Sequence, residues 1–217
     1  MLKAFIEQGC TGVGVELSPY KYKNAVNFLS EDIENGVLEL YDENIYHEKF
    51  LQLFDKTFDL IILKDVIEHI HDHPKLLTRM MSFLKPGGKI FFGFPPWQMP
   101  FGGHQQVCKS KFLSKLPYFH LLPYPLFKSL MKLFGENERT IEGMVEIKET
   151  GISIETFEKY IRQTGYKVLR THFFLVNPIY KYKFGIAPRT QFKFINHLPY
   201  LRDFVTSCAY YLVKAKA

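Results

Sequence analysis

Short apolar stretches with the length of β-strands recur along the first half of the chain. They occupy residues 12–17, 37–41, 58–63 and 89–94. Uninterrupted apolar runs of this length, of which 58–63 is the clearest, are typical of parallel strands that are buried on both faces. Segments with helical spacing separate these runs. The alternation of strand and helix predicts an α/β protein with a mostly parallel sheet.

Local signals mark where the predicted elements begin and end. Ser18-Pro19 is typical of a helix start, with serine as the N-cap and proline at the first helical position. Residues 74–84 have the spacing of an amphipathic helix, and Lys85-Pro86-Gly87-Gly88 predicts a turn before the next strand. Further along, 154–164 predicts a helix.

The pattern changes after residue 95. Residues 95–135 are rich in proline, aromatic residues and lysine, which is not the composition of another strand and helix pair. Strand-like patterns then return at 166–176 and 210–213. We therefore expect a single domain over residues 1–217, with residues 97–150 inserted as a lid or cap.

Charge is distributed unevenly along the chain. Residues 1–75 carry 7 Lys/Arg and 14 Asp/Glu, whereas residues 76–217 carry 21 and 8. A basic half favours anionic partners such as phosphorylated substrates or a membrane surface, although a solvated basic surface explains it equally well. Nucleic-acid binding would rest on charge alone and is not expected.

Cysteine usage and hydropathy exclude several classes of protein. Cys10, Cys108 and Cys208 lie far apart without a Cys-x-x-Cys pair, so neither a disulfide framework nor a structural zinc site is expected. No apolar run approaches the roughly 20 residues that span a bilayer, and the start lacks the pattern of a secretory signal. These features predict a cytoplasmic protein.

Polar side chains follow each of the predicted parallel strands. They include Glu16 with Leu17, Asp42 with Glu43, and Lys64 with Asp65. In an open α/β sheet, ligands bind outside the carboxyl ends of the strands, and an acid there can accept hydrogen bonds from ribose hydroxyls. The strand ends thus predict a nucleotide-like ligand, whereas any one acid alone could be an ordinary loop residue.

Three segments carry motifs whose order and spacing match a known family. They are Gly-Val-Gly-Val-Glu-Leu-Ser at 12–18, Phe-Asp-Leu-Ile-Ile-Leu-Lys-Asp-Val-Ile-Glu-His at 58–69, and Leu-Lys-Pro-Gly-Gly-Lys-Ile at 84–90. Together they resemble the class I S-adenosylmethionine-dependent methyltransferases. The resemblance implies a Rossmann-like three-layer fold with a seven-stranded sheet. Its last strand would be antiparallel, so that 166–176 and 210–213 form a closing hairpin.

The resemblance also implies roles for the strand-end residues, with S-adenosylmethionine as cofactor. Glu16 would hold the ribose hydroxyls and Leu17 would pack on the adenine. Asp42 and Glu43 would face the adenine amino group. Lys64 and Asp65 would lie beside the methionine portion.

Two histidines are candidates for a general base, which is needed when the acceptor loses a proton. His69 follows the 58–63 strand, and His104 follows the 89–94 strand where family members hold their acceptors; a capping or loop-anchoring role is open for both. His71, Asp72 and His73 form a local cluster beside Pro74. We interpret this cluster as solvated, so no metal site is expected.

The family's first strand and Gly-rich loop have no counterpart in the chain. Residues 2–9 match the latter half of the helix that follows that loop, which implies either a start at an internal methionine or a degenerate copy. We therefore expect an N-terminally truncated fold that binds S-adenosylmethionine more weakly than an extended chain.

These inferences converge on a methyltransferase that acts on a small or amphipathic acceptor. The alternative is a non-catalytic protein with the same scaffold that binds a lipid or an anionic membrane surface. In either case the basic lid is a candidate for peripheral membrane contact, because residues 125–134 combine an apolar face with bordering lysines. Packing over the substrate pocket is the other role open to that face.

Overall fold

The structure is a computed structural model, and it describes residues 1–216. The chain forms two compact units, Met1–Thr57 (unit 1) and Phe58–Ala217 (unit 2). Unit 1 contains four helices and two strands. In chain order they are α1 (Leu2–Ile6), β1 (Gly12–Val15), α2 (Pro19–Phe28), α3 (Ser30–Glu34), β2 (Leu38–Tyr41) and α4 (Glu48–Phe54).

Unit 2 begins and ends with a strand, and its helices and other strands lie between these two. Its elements are β3 (Phe58–Lys64), α5 (His73–Phe83), β4 (Leu84–Phe94), α6 (Tyr124–Leu133), α7 (Glu138–Thr150), α8 (Ile154–Gln163), β5 (Tyr166–Val176), α9 (Ile179–Phe184), β6 (Arg189–Thr190), α10 (Lys193–Asn196), α11 (Leu201–Val205) and β7 (Cys208–Ala215). Single 3₁₀ turns occupy Ile67–His69, Gln105–Val107, Leu113–Lys115 and Phe119–Leu121.

In unit 1, β1 and β2 pair in parallel, with Val15 opposite Tyr41. Ser18 caps α2 as predicted, since its side chain accepts a hydrogen bond from the Lys21 N–H, and Pro19 is the first helical residue. Lys3 of α1 donates to the buried Asp32 of α3 at 2.8 Å. This ion pair ties the first helix to the connection between the two strands.

In unit 2, the five strands have the order β3-β4-β7-β5-β6. β3 and β4 are parallel, whereas β7 is antiparallel to both of its long neighbours, β4 and β5. The three strands β3, β4 and β5 therefore run in one direction, although most of the ladders in this sheet are antiparallel. The Rossmann-like α/β fold class and its antiparallel C-terminal strand are confirmed.

The core of unit 2 forms where α8 covers the centre of the sheet. Phe157 of α8 lies 5.0 Å from the Phe92 ring, 4.8 Å from Phe94 and 4.7 Å from Tyr211, measured between centroids. The Tyr211 hydroxyl donates to Glu158 of the same helix at 2.8 Å. These contacts fix β4 and β7 against one helix face.

Several predicted elements differ from those observed. β3 occupies the edge of its sheet, so Leu63 is buried but Leu60 is 38% exposed, and the prediction of a strand buried on both faces is wrong. The predicted turn at 85–88 is a bulge inside β4, which pairs Phe58 with Leu84 and then Leu60 with Lys89. The connection from β5 to β7 contains α9, β6, α10 and α11 and is not a tight hairpin.

Residues 97–150 form short turns and two helices around a small core of their own. Phe127 and Met131 of α6 pack against Ile141 and Met144 of α7 in that core. Part of the apolar surface of α6 thus packs inside this segment, whereas Leu126 and Leu133 are 54% and 80% exposed. No helix within residues 1–216 has the length and apolar character needed to cross a bilayer.

Two carboxyl groups, the buried Asp203 and the partly buried Glu155, join α8 to α11. Asp203 Oδ1 accepts a hydrogen bond from the Ile154 N–H at 2.8 Å, and Glu155 Oε1 accepts from the Tyr200 N–H at 3.0 Å and Arg202 Nε at 2.9 Å. Burial and the hydrogen bond to Glu155 raise the pKa of Asp203. Burial opposes ionisation of Glu155, yet hydrogen bonds from Asp203 and its other donors lower its pKa overall. Asp203 is therefore the member of the pair that keeps its proton to higher pH.

This pair makes the stability of unit 2 depend on pH. A carboxyl with a raised pKa in the folded state stabilises fully below its unfolded value of about 4, and that contribution is lost as pH rises through the folded value. Asp203→Asn keeps an acceptor for Ile154 and a donor for Glu155 but cannot ionise. Between about pH 5 and about pH 8, wild type should therefore lose free energy of unfolding relative to Asp203→Asn in urea titrations.

Asp59→Asn is the matched control, because the Asp59 side chain is 83% exposed on β3. Its free energy of unfolding should follow that of wild type across the same pH range. Identical pH profiles for wild type and Asp203→Asn would contradict the raised pKa of Asp203.

Candidate functional site

The parallel pairing in unit 1 brings two strand ends to one edge of the sheet. The Glu16 N–H donates to the Tyr41 carbonyl at 3.0 Å, so the chain leaves β1 and β2 side by side. Glu16 and Leu17 follow one strand, and Asp42 and Glu43 follow the other. The four residues predicted to bind the adenosine half of the cofactor are thus neighbours in this unit.

Their surroundings are compatible with an adenosine group. Leu17 is 64% exposed, which leaves an apolar surface beside carboxylates at both strand ends. Glu16 Oε1 accepts a hydrogen bond from the Ser18 N–H at 2.8 Å. That bond orients the carboxylate at the start of α2, and Glu43 Oε2 lies 3.3 Å from His47 Nδ1.

In unit 2, Lys64 and Asp65 close the carboxyl end of β3. The Lys64 ammonium donates to the Asp65 carboxylate, and the Asp65 N–H donates to the Gly93 carbonyl at 2.7 Å. Asp65 has a positive φ of 55°. A Cβ at Gly93 would lie 3.0 Å from the Tyr210 ring and 3.3 Å from Lys64 Cγ, so this part of β4 has room only for a small residue.

Glu68, His69 and His104 lie together beyond these strands. One ligand atom of each lies within 4.8 Å of the other two, and the imidazole centroids are 5.1 Å apart. Glu68 is 4% exposed, and burial raises its pKa to about 8, with a smaller contribution from Asp65. Burial and the neighbouring His69 lower the pKa of His104.

The loop that carries His104 is held by a buried amide and a buried imidazole. Gln105 Nε2 donates to the Pro100 carbonyl at 2.9 Å and lies 3.2 Å from His120 Nδ1. His120 Nε2 lies 2.8 Å from the Trp97 carbonyl, which can only accept, so the partners assign the proton to Nε2. Burial lowers the pKa of His120 to about 4, which keeps it neutral near pH 7.

An aromatic cage around Lys148 of α7 holds the same loop from the other side. Its ammonium lies 5.6 Å from the Trp97 centroid, 5.1 Å from Tyr124 and 5.6 Å from Phe127, and donates to the His120 carbonyl at 2.7 Å. Cation–π contacts and this hydrogen bond together compensate the ammonium for lost hydration. The cage therefore fixes Trp97 and His120 relative to α6 and α7.

The histidines of the sequence analysis fall into two groups. His69 and His104, predicted as catalytic candidates, lie together. The interpretation of 71–73 as a solvated cluster is wrong for His73, which is buried with Nε2 3.1 Å from the Ile67 carbonyl and its ring stacked on Tyr160. His71 is exposed, 3.8 Å from Glu146.

Glu68 is the member of the cluster that the sequence analysis did not single out as a site residue. The only sequence signal was its position beside His69 after a strand end. Its burial depends on the packing of the 3₁₀ turn, where Thr150 of α7 donates to the Glu68 carbonyl at 2.7 Å. That contact joins residues far apart in the chain.

The parallel strands and the polar residues that follow them define the chain as an α/β protein of the Rossmann-like type. The methyltransferase-domain family matches residues 1–171. The chain belongs to this family, whose members use S-adenosylmethionine as cofactor.

One relative among curated proteins is phosphoethanolamine N-methyltransferase 2 of Caenorhabditis elegans. It is 35% identical over 78 residues, which cover 36% of this chain and 17% of the relative. The chain therefore spans a small part of that protein's length.

Two solved structures share the fold. Geranyl diphosphate C-methyltransferase from Streptomyces coelicolor A3(2) has a TM-score of 0.57 and 11% identity, with 100% of this chain and 67% of that one covered. A possible histamine N-methyltransferase from Thermotoga maritima has a TM-score of 0.50 and 12% identity, with 95% and 82% covered.

Close packing of Gly103 against His120 gives a direct test of how His104 is positioned. A Cβ at Gly103 would lie 2.3 Å from His120 Cβ, so Gly103→Ala must displace the loop or the imidazole. We expect a loss of about 1–3 kcal/mol of unfolding free energy. Faster hydrogen exchange in residues 97–107 should accompany it.

Gly143→Ala is the control with the opposite expected sign. Gly143 lies inside α7, and a Cβ there meets no atom within 4 Å. The variant should gain roughly 0.5–1 kcal/mol, because alanine loses less backbone entropy in a helix. Equal stabilities of the two variants would contradict the packing described for this loop.

Proposed function

We propose that this chain transfers a methyl group from S-adenosylmethionine to a small or amphipathic molecule. The observation that supports this proposal most directly is a group of polar side chains beyond the strands of unit 2. The group consists of Lys64, Asp65, Glu68, His69 and His104. Ligands of open α/β sheets bind at this place, outside the carboxyl ends of the strands. Membership of the methyltransferase-domain family supports the assignment.

In unit 1, the residues proposed to bind the cofactor are those assigned to its adenosine half. Glu16 accepts hydrogen bonds from the ribose hydroxyls, and Leu17 packs against the adenine. Asp42 and Glu43 face the adenine amino group. The exposed Leu17 and the adjacent strand ends support these roles.

In unit 2, Lys64 and Asp65 lie beside the methionine portion. Their ion pair presents one positive and one negative group, which suits the carboxylate and the ammonium of an amino acid. S-adenosylmethionine supplies a methyl group on a positively charged sulfur. Because attack on such a methyl is in line, the chain contributes chiefly by aligning the acceptor.

His69 and His104 are the proposed catalytic residues. They contact the acceptor and assist the loss of its proton, the one step for which alignment is not sufficient. The ring-to-ring distance of 5.1 Å supports a shared role. Residues 97–150 act as a lid over this place, with His104 near the start of the segment.

Charge supports an anionic acceptor. Residues 76–217 carry 21 Lys/Arg against 8 Asp/Glu, and such a field attracts negatively charged ligands. The stretch shared with a phosphoethanolamine N-methyltransferase points in the same direction. A small phosphorylated amine is therefore the acceptor class to test first.

Methyl transfer is tested with S-adenosylmethionine that carries a labelled methyl group. We expect label in phosphoethanolamine and less in ethanolamine, which lacks the phosphate. Glu16→Ala should weaken S-adenosylmethionine binding by about 1.5–3 kcal/mol, or roughly 10- to 100-fold, because charged hydrogen bonds are lost. Calorimetry measures that affinity.

Glu34→Ala is the matched control, since Glu34 is an exposed acid of α3 in the same unit. It should bind the cofactor as wild type does. Unchanged affinity in Glu16→Ala would remove Glu16 from the site, and vesicle binding without any cofactor binding would favour the non-catalytic alternative.

A second candidate function, peripheral contact with anionic lipid, is favoured by an exposed aromatic and basic surface. On α9, α10 and the following turn, the exposed fractions are 84% for Tyr182, 65% for Phe184, 66% for Phe194 and 72% for Tyr200. Lysines alternate with these rings, and Asp203 is the only acid after residue 158. Aromatic rings with bordering lysines suit the headgroup region of an anionic membrane.

This surface, which we call the 179–200 surface, exposes more aromatic rings than the lid helix α6, whose most exposed apolar residues are Leu126 and Leu133. Phe127 and Met131 of α6 are buried, and Lys132 pairs with Glu138 at 3.1 Å. We therefore propose lipid contact through the 179–200 surface in addition to the lid considered from sequence.

Vesicle sedimentation tests which of the two surfaces contacts lipid. Phe184→Ser with Phe194→Ser should strongly reduce binding to vesicles of phosphatidylserine and phosphatidylcholine, because two inserted rings are lost. Lys128→Glu with Lys132→Glu, on the lid, should leave most of the binding intact. The reverse order would assign lipid contact to the lid, and absence of wild-type binding would exclude it for both.

A further inference from the structure

Three potential metal ligands converge from two separate loops of unit 2. Glu68 and His69 belong to the 3₁₀ turn after β3, and His104 belongs to the loop after β4. A carboxylate oxygen and two imidazole nitrogens lie within 4.8 Å of one another. His104 has a left-handed backbone conformation, with φ of 56°. It immediately precedes the 3₁₀ turn Gln105–Val107.

The buried carboxylate is the second, independent observation. Glu68 is 4% exposed, and neither Oε1 nor Oε2 has a hydrogen-bond partner among residues 1–216. A buried carboxyl group without a hydrogen-bond partner is unfavourable, and ionised carboxylates that are buried in proteins are paired or bind metal ions. The two imidazoles of the cluster are within reach of this carboxylate.

We propose that Glu68, His69 and His104 bind a divalent transition-metal ion, represented by Zn²⁺. Imidazole nitrogens suit zinc and its first-row neighbours, whereas Mg²⁺ and Ca²⁺ prefer oxygen ligands. Two histidines and one glutamate form a known ligand set of catalytic zinc.

Metal binding requires the cluster to close by about 1 Å. Zinc bonds of about 2.0–2.2 Å at tetrahedral angles place two ligand atoms on one ion roughly 3.3–3.6 Å apart. The side chains must therefore approach from their present limit of 4.8 Å. His69 is exposed to solvent.

Three protein ligands leave a coordination position open, whereas structural zinc sites are closed by four. At this point the inference rests on the proposed function, since the open position faces the acceptor only if methyl transfer takes place here. A metal ion there would orient a hydroxyl or amine of the acceptor and favour loss of its proton. His69 and His104 would then assist that step as ligands of the ion, in place of the role of free bases proposed for them above.

The test uses the full, untagged chain after treatment with a chelator, titrated with Zn²⁺ by calorimetry and with Co²⁺ by visible absorption. Wild type should bind one equivalent. Glu68→Gln, His69→Ala and His104→Ala should each weaken binding on the order of 100-fold, because each removes one of three ligands. Circular dichroism checks that each variant is folded.

His71→Ala is the matched control, because His71 is exposed two residues from His69 and outside the cluster. It should bind Zn²⁺ and Co²⁺ as wild type does. Failure of wild type to bind one equivalent, or unchanged affinity in all three ligand variants, would overturn the metal site. S-adenosylmethionine titrated separately distinguishes that failure from failure of the proposed function.

Discussion

The central position of β4 is the constraint on which unit 2 depends. β4 pairs with β3 on one side and β7 on the other, while Ile90, Phe92 and Phe94 are fully buried. Its Gly93 carbonyl also accepts the Asp65 N–H, which sets the chain direction after β3. A larger residue than glycine at position 93 would push against both Tyr210 and Lys64.

The position of the loop after β4 depends on buried polar contacts. Gln105 and His120 hold the loop by hydrogen bonds, and Lys148 fills an aromatic cage behind it. Each polar group in this network lies between apolar surfaces, where hydrogen bonds are strong and their loss is costly. The position of His104 is thus determined by residues of several turns and helices of 97–150.

Strands with strong apolar patterns could be predicted closely from sequence. β5 has the predicted bounds, and β3 extends the prediction by one residue. The α4 helix and the helices between β5 and β7 were not predicted, because short segments carry weak periodicity and owe their structure to tertiary packing. Burial was harder still, since the exposure of Leu60 follows from the edge position of β3, which no local pattern encodes.

In the candidate site, too, some features could be predicted from the sequence and others could not. Strand-end acids and the two histidines could be named, because residue type and position after a strand are visible in sequence. The burial of Glu68 and of His73 could not be predicted. It depends on α7 and α8 packing against residues about eighty positions away.

The insertion of β7 between β4 and β5 also has a kinetic consequence. Ile90 pairs with Val213, across more than a hundred residues of chain. Proteins dominated by such distant pairings fold slowly, because the entropy of closing a long loop is lost before the contacts form. Without β7, β4 and β5 would each present an unpaired edge, and unpaired strand edges are templates for aggregation.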